Sequence, residues 1–389
     1  MFKRYLENYI RQDIADKMAF ISGPRQVGKT TLATEIGRKY FPDAYTYLNW
    51  DNRQDRKDIL EGIFEADKKF VIFDEIHKYK NWKNYLKGEF DKYRSKFSIA
   101  VTGSARLDVY RKGGDSLLGR YHSFRLHPLS VAELSNNTTV PAPHKELSFT
   151  SAHKETLKQL LMYGGFPEVC LKQDEKLLRR WHNERTDLLI KEDIRDIEVI
   201  RDLSALQVLV DILPNKVASL FSLNSLKEDL RVTHKTLALW VDILEKFYYH
   251  YRIYPFQSSL IKSLRKEPKL YLWDWSEVED ESARFENLIA SHLLKLCHFL
   301  HDVEGYNANL YYIRDKEQKE VDFLVCVGKK PWFCVETKAS FKDIPVSLKY
   351  FSTRLKIPFS YLVVREEDID YLKDSIRVIS ASKFLGGLV

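Results

Sequence analysis

At 389 residues the chain exceeds one ordinary core, and at ~150 residues per domain it is expected to fold as two or three. Hydrophobic residues make up 44% and charged residues 30%, a balance that excludes wholesale disorder. The 62 basic and 55 acidic residues leave a net charge of +7, mildly basic and compatible with a nucleic-acid partner.

The N-terminal run MFKRYLENYIRQDIADK lacks the apolar centre of a signal peptide. No apolar stretch approaches the ~18 residues of a membrane span. Cys170, Cys297, Cys326 and Cys334 are scattered without zinc-type spacing and read as reduced thiols. A cytoplasmic protein with no membrane partner is expected.

Strand-like apolar runs at 18–22, 45–49, 70–74, 97–103 and 122–126 alternate with amphipathic helical stretches, which predicts a parallel α/β sheet. Residues 135–151 (SNNTTVPAPHKELSFTS) break the rhythm and read as a linker. Helical patterning runs from 153 to 211, interrupted by GGFP at 164–167. A short helix from Ser225 to Leu230 is followed by a second one from Thr233 to Phe247, with Leu237, Trp240, Val241 and Leu244 on its apolar face. The aromatic run YYHYRIYPF comes next, completing the outline of a winged helix-turn-helix. From 269 onward α/β alternation returns.

The segment GPRQVGKT fits G-x-x-x-x-G-K-[ST] between a strand and a helix. Gly23, Pro24, Arg25, Gln26, Val27, Gly28, Lys29, Thr30 and Thr31 are therefore expected to cradle the phosphates of ATP. Lys29 would neutralise them, and the Thr30 hydroxyl would hold Mg²⁺. FVIFDE delivers two carboxylates to a strand tip, Asp74 for the metal and Glu75 to polarise the attacking water. FSIAVTGS places Thr102 and Ser104 where a polar group could sense the γ-phosphate. Arg120 is the chosen arginine finger, with Arg106 and Arg125 as competitors.

GPRQVGKTTL, FDEIHK, TGS, the LGR…PLS stretch and GGFPE together resemble prokaryotic AAA+ ATPases that carry a C-terminal domain of unknown function. The ATPase module is similar to the origin-recognition and STAND branches of that class. The resemblance implies a winged helix after the ATPase and lid, and a homo-oligomer in which a finger acts in trans.

Near the C-terminus, SARFENLIASHLLKLCHFL is an amphipathic helix carrying Glu286, and LYYIRDKEQKEVDFLV reads as a hairpin carrying Asp322. PWFCVETKAS is a strand whose alternation puts Glu336 and Lys338 on one face. Asp322 and Glu336 would bind Mg²⁺, Glu286 would complete the shell, and Lys338 would orient the water for phosphodiester hydrolysis. The order resembles the PD-(D/E)xK nucleases, although no proline precedes Asp322. His234 and Lys235 at the start of the second helix, Lys227 and Arg231 around the turn, and Arg252 in the wing are the expected DNA contacts, with a basic cluster at 262–269 beside them.

The architecture implied is α/β and multidomain: a P-loop AAA+ core (1–134), a helical lid (135–205), a winged helix-turn-helix (206–268) and a restriction-endonuclease-like α/β domain (269–389). The function expected is ATP hydrolysis coupled to Mg²⁺-dependent DNA cleavage, with branched or processed DNA as a candidate substrate. The alternative is a nucleotide-switched, STAND-like binding or signalling ATPase with an inactive nuclease-like domain.

Overall fold

The computed structural model describes residues 3–63, 67–103, 117–137, 139–194, 200, 202–257 and 266–389. Contacts divide the chain into two compact units, Met1–His127 and Pro128–Val389.

The first unit opens with helix α1 (Glu7–Asp13) and then alternates strand and helix: β1 (Met18–Ser22), α2 (Lys29–Tyr40), β2 (Tyr45–Asn49), α3 (Arg53–Glu61), β3 (Phe70–Asp74), α4 (Trp82–Tyr93), β4 (Ser98–Thr102) and β5 (Tyr121–Arg125). The five strands form one sheet in the order β2-β3-β4-β1-β5, and every pairing is parallel. β1 and β3 are buried throughout, as expected of apolar runs covered on both faces. Because β1 lies between β4 and β5, the chain changes direction across the sheet at β1. That is the crevice where open α/β sheets place ligands, and the Gly23–Thr30 loop leaves β1 there.

By contacts, the first unit ends at His127. Residues 128–134, including the short helix α5 (Val131–Leu134), belong to the second unit. There the Leu129 N–H donates to Gly165 O, and the Ser130 hydroxyl donates to Val389 O. The predicted linker that follows is a docked strap. Trp332 Nε1 donates to Lys145 O, Leu147 N donates to the Tyr361 hydroxyl, and Phe149 packs on Tyr361 and Phe384.

Helices α6 (Lys154–Tyr163), α7 (Pro167–Lys172), α8 (Glu175–Leu188) and α9 (Leu203–Ile212) follow. Gly164 has φ +70, and a Cβ on it would come within 2.6 Å of Asp274 Oδ1, so both backbone and space demand glycine. Helix α10 (Leu223–Leu230) ends at Arg231 in the left-handed region. Helix α11 (His234–Lys246) is then capped by the Thr233 hydroxyl, which accepts from Thr236 N. The strand after it, β6 (His250–Ile253), pairs antiparallel with β7 (Lys269–Leu272). The expected cut between 268 and 269 thus falls at the start of β7, a strand that pairs with β6.

Helix α12 (Glu281–Asp302) covers a six-stranded mixed sheet in the order β12-β13-β11-β10-β9-β8. Its strands are β8 (Ala308–Arg314), β9 (Glu320–Val327), β10 (Lys330–Lys338), β11 (Phe359–Val364), β12 (Asp370–Lys373) and β13 (Ile376–Ser380). The core beside α13 (Val346–Arg354) contains Leu324, Leu348, Leu362 and Val378, all fully buried. All four cysteines are buried. Among the described residues no helix is long and apolar enough to cross a membrane.

Candidate nucleotide site and a carboxylate cleft

In the first unit, β1 runs into a loop shaped by unusual backbone angles. Gly23 has φ +144, and a Cβ there would collide with Leu126 O. Gln26 (φ +63) and Gly28 (φ +97) are left-handed, and α2 begins at Lys29. Such a turn at a helix N-terminus points successive N–H groups at one anion. Lys29 is buried, and its ammonium donates to Gly23 O at 3.0 Å and Pro24 O at 2.7 Å. Pro24 and Val27 are buried, Arg25 is half-buried, and Gln26 and Thr31 are exposed. The buried Arg4 guanidinium braces the loop from outside, donating to Val27 O and His127 O.

Three elements converge on Asp74. Its Oδ2 accepts from Thr30 Oγ1 at 2.9 Å and from the Tyr47 hydroxyl at 2.8 Å, and its Oδ1 accepts from Thr102 Oγ1. The parallel register explains this: Asn49, Asp74 and Thr102 are cross-strand neighbours, and Tyr47 lies two residues before Asn49 on the same face. Glu75 is left-handed (φ +54), with Oε2 at 3.5 Å from His77 Nε2 and 3.8 Å from Lys78 Nζ. Burial, and then the Asp74 charge, raise the Glu75 carboxyl above its ordinary value. Burial, with Lys78 adding to it, pushes His77 down to about 4, so it is neutral near pH 7. Lys78 also reaches Asp51 at 2.7 Å. Tyr47, Arg4 and His77 were missed from sequence, though strand parity alone places Tyr47 on the Asp74 side.

Arg120 does not meet this site within its own chain. Its carbonyl accepts from Met18 N, so it stands at the entry end of β1 and β5, and the phosphate loop leaves β1 at the other end. Four strand steps of about 3.3 Å separate the two ends. The side chain is paired instead with Asp91 on α4, through Nε at 2.7 Å and Nη2 at 3.0 Å. Arg125, the competitor, lies at the loop end in register with Ser22. Ser104 and Arg106 lie outside the described residues.

In the second unit the antiparallel register that pairs Phe323 on β9 with Val335 on β10, continued by one residue, brings Asp322 beside Glu336. Asp322 Oδ2 accepts from Thr337 N and Oγ1 at 2.9 and 2.8 Å, and Lys338 Nζ pairs with Glu336 Oε1 at 2.7 Å. Glu336 Oε2 is buried without a hydrogen-bond partner. Glu286 reaches the group from α12, and its Oε1 accepts from the Tyr271 hydroxyl at 2.7 Å. Burial, followed by the charge of Asp322, pushes Glu286 up to about 8 and Glu336 up to about 7. A cleft of about 290 Å³ opens beside Glu286, Asp322, Thr337 and Lys338.

Sequence reading missed the centre of this cluster. Lys269 Nζ lies 2.7 Å from Glu320 Oε1, 3.2 Å from Glu286 Oε1 and 3.6 Å from Asp322 Oδ1. Burial works to lower its pKa, but Glu286, Asp322 and Glu320 hold it above the ordinary lysine value. Arg314 shares Glu320 at 2.7 Å. Among the described residues no three acidic, histidine or cysteine side chains are disposed to hold a metal ion. The predicted Mg²⁺ shell of Glu286, Asp322 and Glu336 therefore does not fit this arrangement. Each of those carboxylates already faces a protein cation, and the cation facing Glu286 and Asp322 is Lys269.

Around the turn between α10 and α11, Arg231, His234 and Lys235 are exposed and Lys227 is half-buried. Arg252 turns back onto α11, paired with Asp242 at 2.8 Å and with Glu245, so it is not an open DNA contact. Residues 262–265 of the basic cluster lie outside the described residues; of the rest, Lys266 is exposed and Lys269 is internal.

Residues 15–135 match the family model described as an AAA domain. Residues 154–276 and 281–384 match two families described as domains of unknown function, DUF8612 and DUF4143. An uncharacterized protein of Methanocaldococcus jannaschii is 27% identical over 335 residues, 80% of this chain and 73% of that protein. An uncharacterized protein of Mycobacterium tuberculosis is 21% identical over 379 residues, 95% and 81% of the two chains. Among solved structures, the Aeropyrum pernix ORC1 protein in complex with DNA aligns with a TM-score of 0.33 at 12% identity, over 75% of this chain and 93% of that one. The Thermotoga maritima RuvB Holliday junction branch migration motor aligns at 0.31 and 18% identity, over 63% and 84%. The domain match, the parallel five-stranded sheet and the phosphate loop at its crevice identify the first unit as an AAA-type P-loop domain.

Proposed function

We propose that the chain is an ATP-hydrolysing molecular switch that engages DNA through its helix–turn–helix. The observation that carries the first half is the convergence of Thr30, Tyr47 and Thr102 on Asp74, one strand tip from Glu75 and beside the Lys29 loop. The Thr30 hydroxyl and Asp74 carboxylate are the oxygen donors Mg²⁺ takes, and their contact suits a shared ion. When bound, that ion would offset charge on the β- and γ-phosphates.

The chain's own groups supply the rest. Loop N–H groups and Lys29 hold the phosphates, with the ammonium exchanging its loop carbonyls for phosphate oxygens. Glu75 orients the attacking water and accepts its proton as the new P–O bond forms and the bond to the β-phosphate oxygen breaks. Lys29→Ala is expected to abolish turnover, and undiminished hydrolysis in that variant would sink the assignment. Arg120 stands at the far end of its own sheet, so a finger role for it requires a second copy of the chain.

Exposed Arg231, His234 and Lys235 at the turn support the DNA reading. Carboxylates Asp322 and Glu336 beside Lys338 favour a second reading, DNA cleavage with Mg²⁺, which requires that Lys269 first leave Glu286 and Asp322. It is tested on single-stranded, duplex, forked and four-way DNA with and without ATP, beside Lys338→Ala. Cleavage lost in that variant establishes a nuclease. DNA-stimulated ATP hydrolysis without cleavage leaves a switch with a binding scaffold.

A further inference from the structure

We infer that Lys269 is a resident cation that closes the C-terminal carboxylate cleft to divalent metal, and that the cleft becomes a Mg²⁺ or Mn²⁺ site only when this ammonium leaves. The inference goes beyond the ATPase reading and does not depend on it.

The Lys269 side chain is 4% exposed and stands within 3.6 Å of carboxylate oxygens from Glu286, Glu320 and Asp322. A divalent ion bound by Glu286 and Asp322 would have to share their oxygens with that ammonium, cation against cation in a buried setting. The remaining acceptors are mostly taken as well. Tyr271 holds Glu286, Thr337 holds Asp322 Oδ2, and Lys338 holds Glu336 Oε1. Glu336 Oε2 is the exception, a buried acceptor without a hydrogen-bond partner on a residue 6% exposed. Removing Lys269 would leave Glu286 and Asp322 uncompensated beside that atom, a donor set of hard oxygens suited to Mg²⁺ or Mn²⁺.

The blocking group does not come from the sheet that carries the acids. Asp322 and Glu336 belong to β9 and β10, whereas Lys269 and Tyr271 both project from β7, the partner of β6. Unblocking the cleft therefore means moving β7 or the Lys269 side chain, with β9 and β10 left in place.

The test is Mn²⁺ binding to the full chain without nucleotide, read from the loss of the free-ion electron paramagnetic resonance signal. Comparison with Asp322→Asn isolates binding at the cleft from any ion at the phosphate loop. Wild type is expected to show no Asp322-dependent binding at millimolar Mn²⁺, and Lys269→Arg to behave like it. Lys269→Met is expected to gain one ion about tenfold or more tighter, lost again in Lys269→Met/Asp322→Asn. A folded Lys269→Met that gains nothing overturns the inference. So does Asp322-dependent binding in wild type, a comparison that stands even if Lys269→Met fails to fold.

Discussion

Lys295→Met should destabilise the second unit far more than one surface change would. Lys295 on α12 pairs with Glu133 of α5, and their side chains are 2% and 3% exposed. Its ammonium also donates to Ser130 Oγ at 2.8 Å. Methionine keeps the stem and deletes the charge, leaving Glu133 buried without its cation at a cost of about 3–5 kcal/mol. For the roughly 260 residues of this unit, an unfolding entropy of about 2.1 cal/mol/K per residue gives about 0.55 kcal/mol/K. The expected drop in melting temperature is therefore about 5–9 °C. Replacing both partners, Lys295→Met with Glu133→Gln, should restore most of it, because no unpaired charge stays behind. The assay is a double-mutant cycle on thermal melts followed by circular dichroism. A single variant melting within about 2 °C of wild type, or a double variant worse than either single, would refute the reasoning. The pair also seats the helix that carries Glu286 nine residues earlier, so the cleft's geometry depends on it.

Because burial and Asp74 raise the Glu75 carboxyl, ATP turnover should fall as pH drops through that raised value, and Glu75→Gln should lack this limb. A pH–rate profile whose acidic limb sits at or below the ordinary glutamate value of about 4.3 contradicts it. Glu286, at about 8 when folded, binds a proton that the unfolded chain has lost. Stability of the second unit should thus decline as pH rises from about 4.3 to about 8, a slope that Glu286→Gln flattens in urea titrations. Arg231→Ala with Lys235→Ala should weaken duplex binding at every sequence and lower the salt slope by about 2, measured by fluorescence anisotropy across a salt series. An unchanged slope places the DNA contact elsewhere.

Much of the first unit was legible because parallel strands announce themselves as apolar runs. The predicted strands at 18–22, 45–49 and 70–74 match β1, β2 and β3 to the residue. Asp322 facing Glu336 was legible for a related reason, since two-residue alternation fixes which side chains share a face. Arg120 was misplaced because a motif says nothing about sheet polarity. Once all strands are parallel, a residue preceding β5 must stand opposite the loop. The run 135–151 looked like a linker because it is rich in Asn, Thr, Pro and Ser, hiding Leu147 and Phe149, whose partners lie more than two hundred residues away. Lys269 was unreadable for the same reason. In sequence it ends a basic run resembling a solvated patch, and only the pairing of β7 with β6 carries it into the acids.

β7 also bears on how this chain can be taken apart. The C-terminal family match begins at residue 281, downstream of Lys269 and Tyr271. A fragment cut there would keep Glu286, Asp322 and Glu336 but lose the lysine that pairs with two of them and the hydroxyl that holds Glu286. Such a fragment would expose an acidic hollow to solvent, so its solubility, ion uptake and reactivity would describe the truncation and not the intact protein. By the same reasoning, a recombination event that grafts this sheet onto another ATPase inherits a working neutral cluster only if the crossover falls upstream of residue 269.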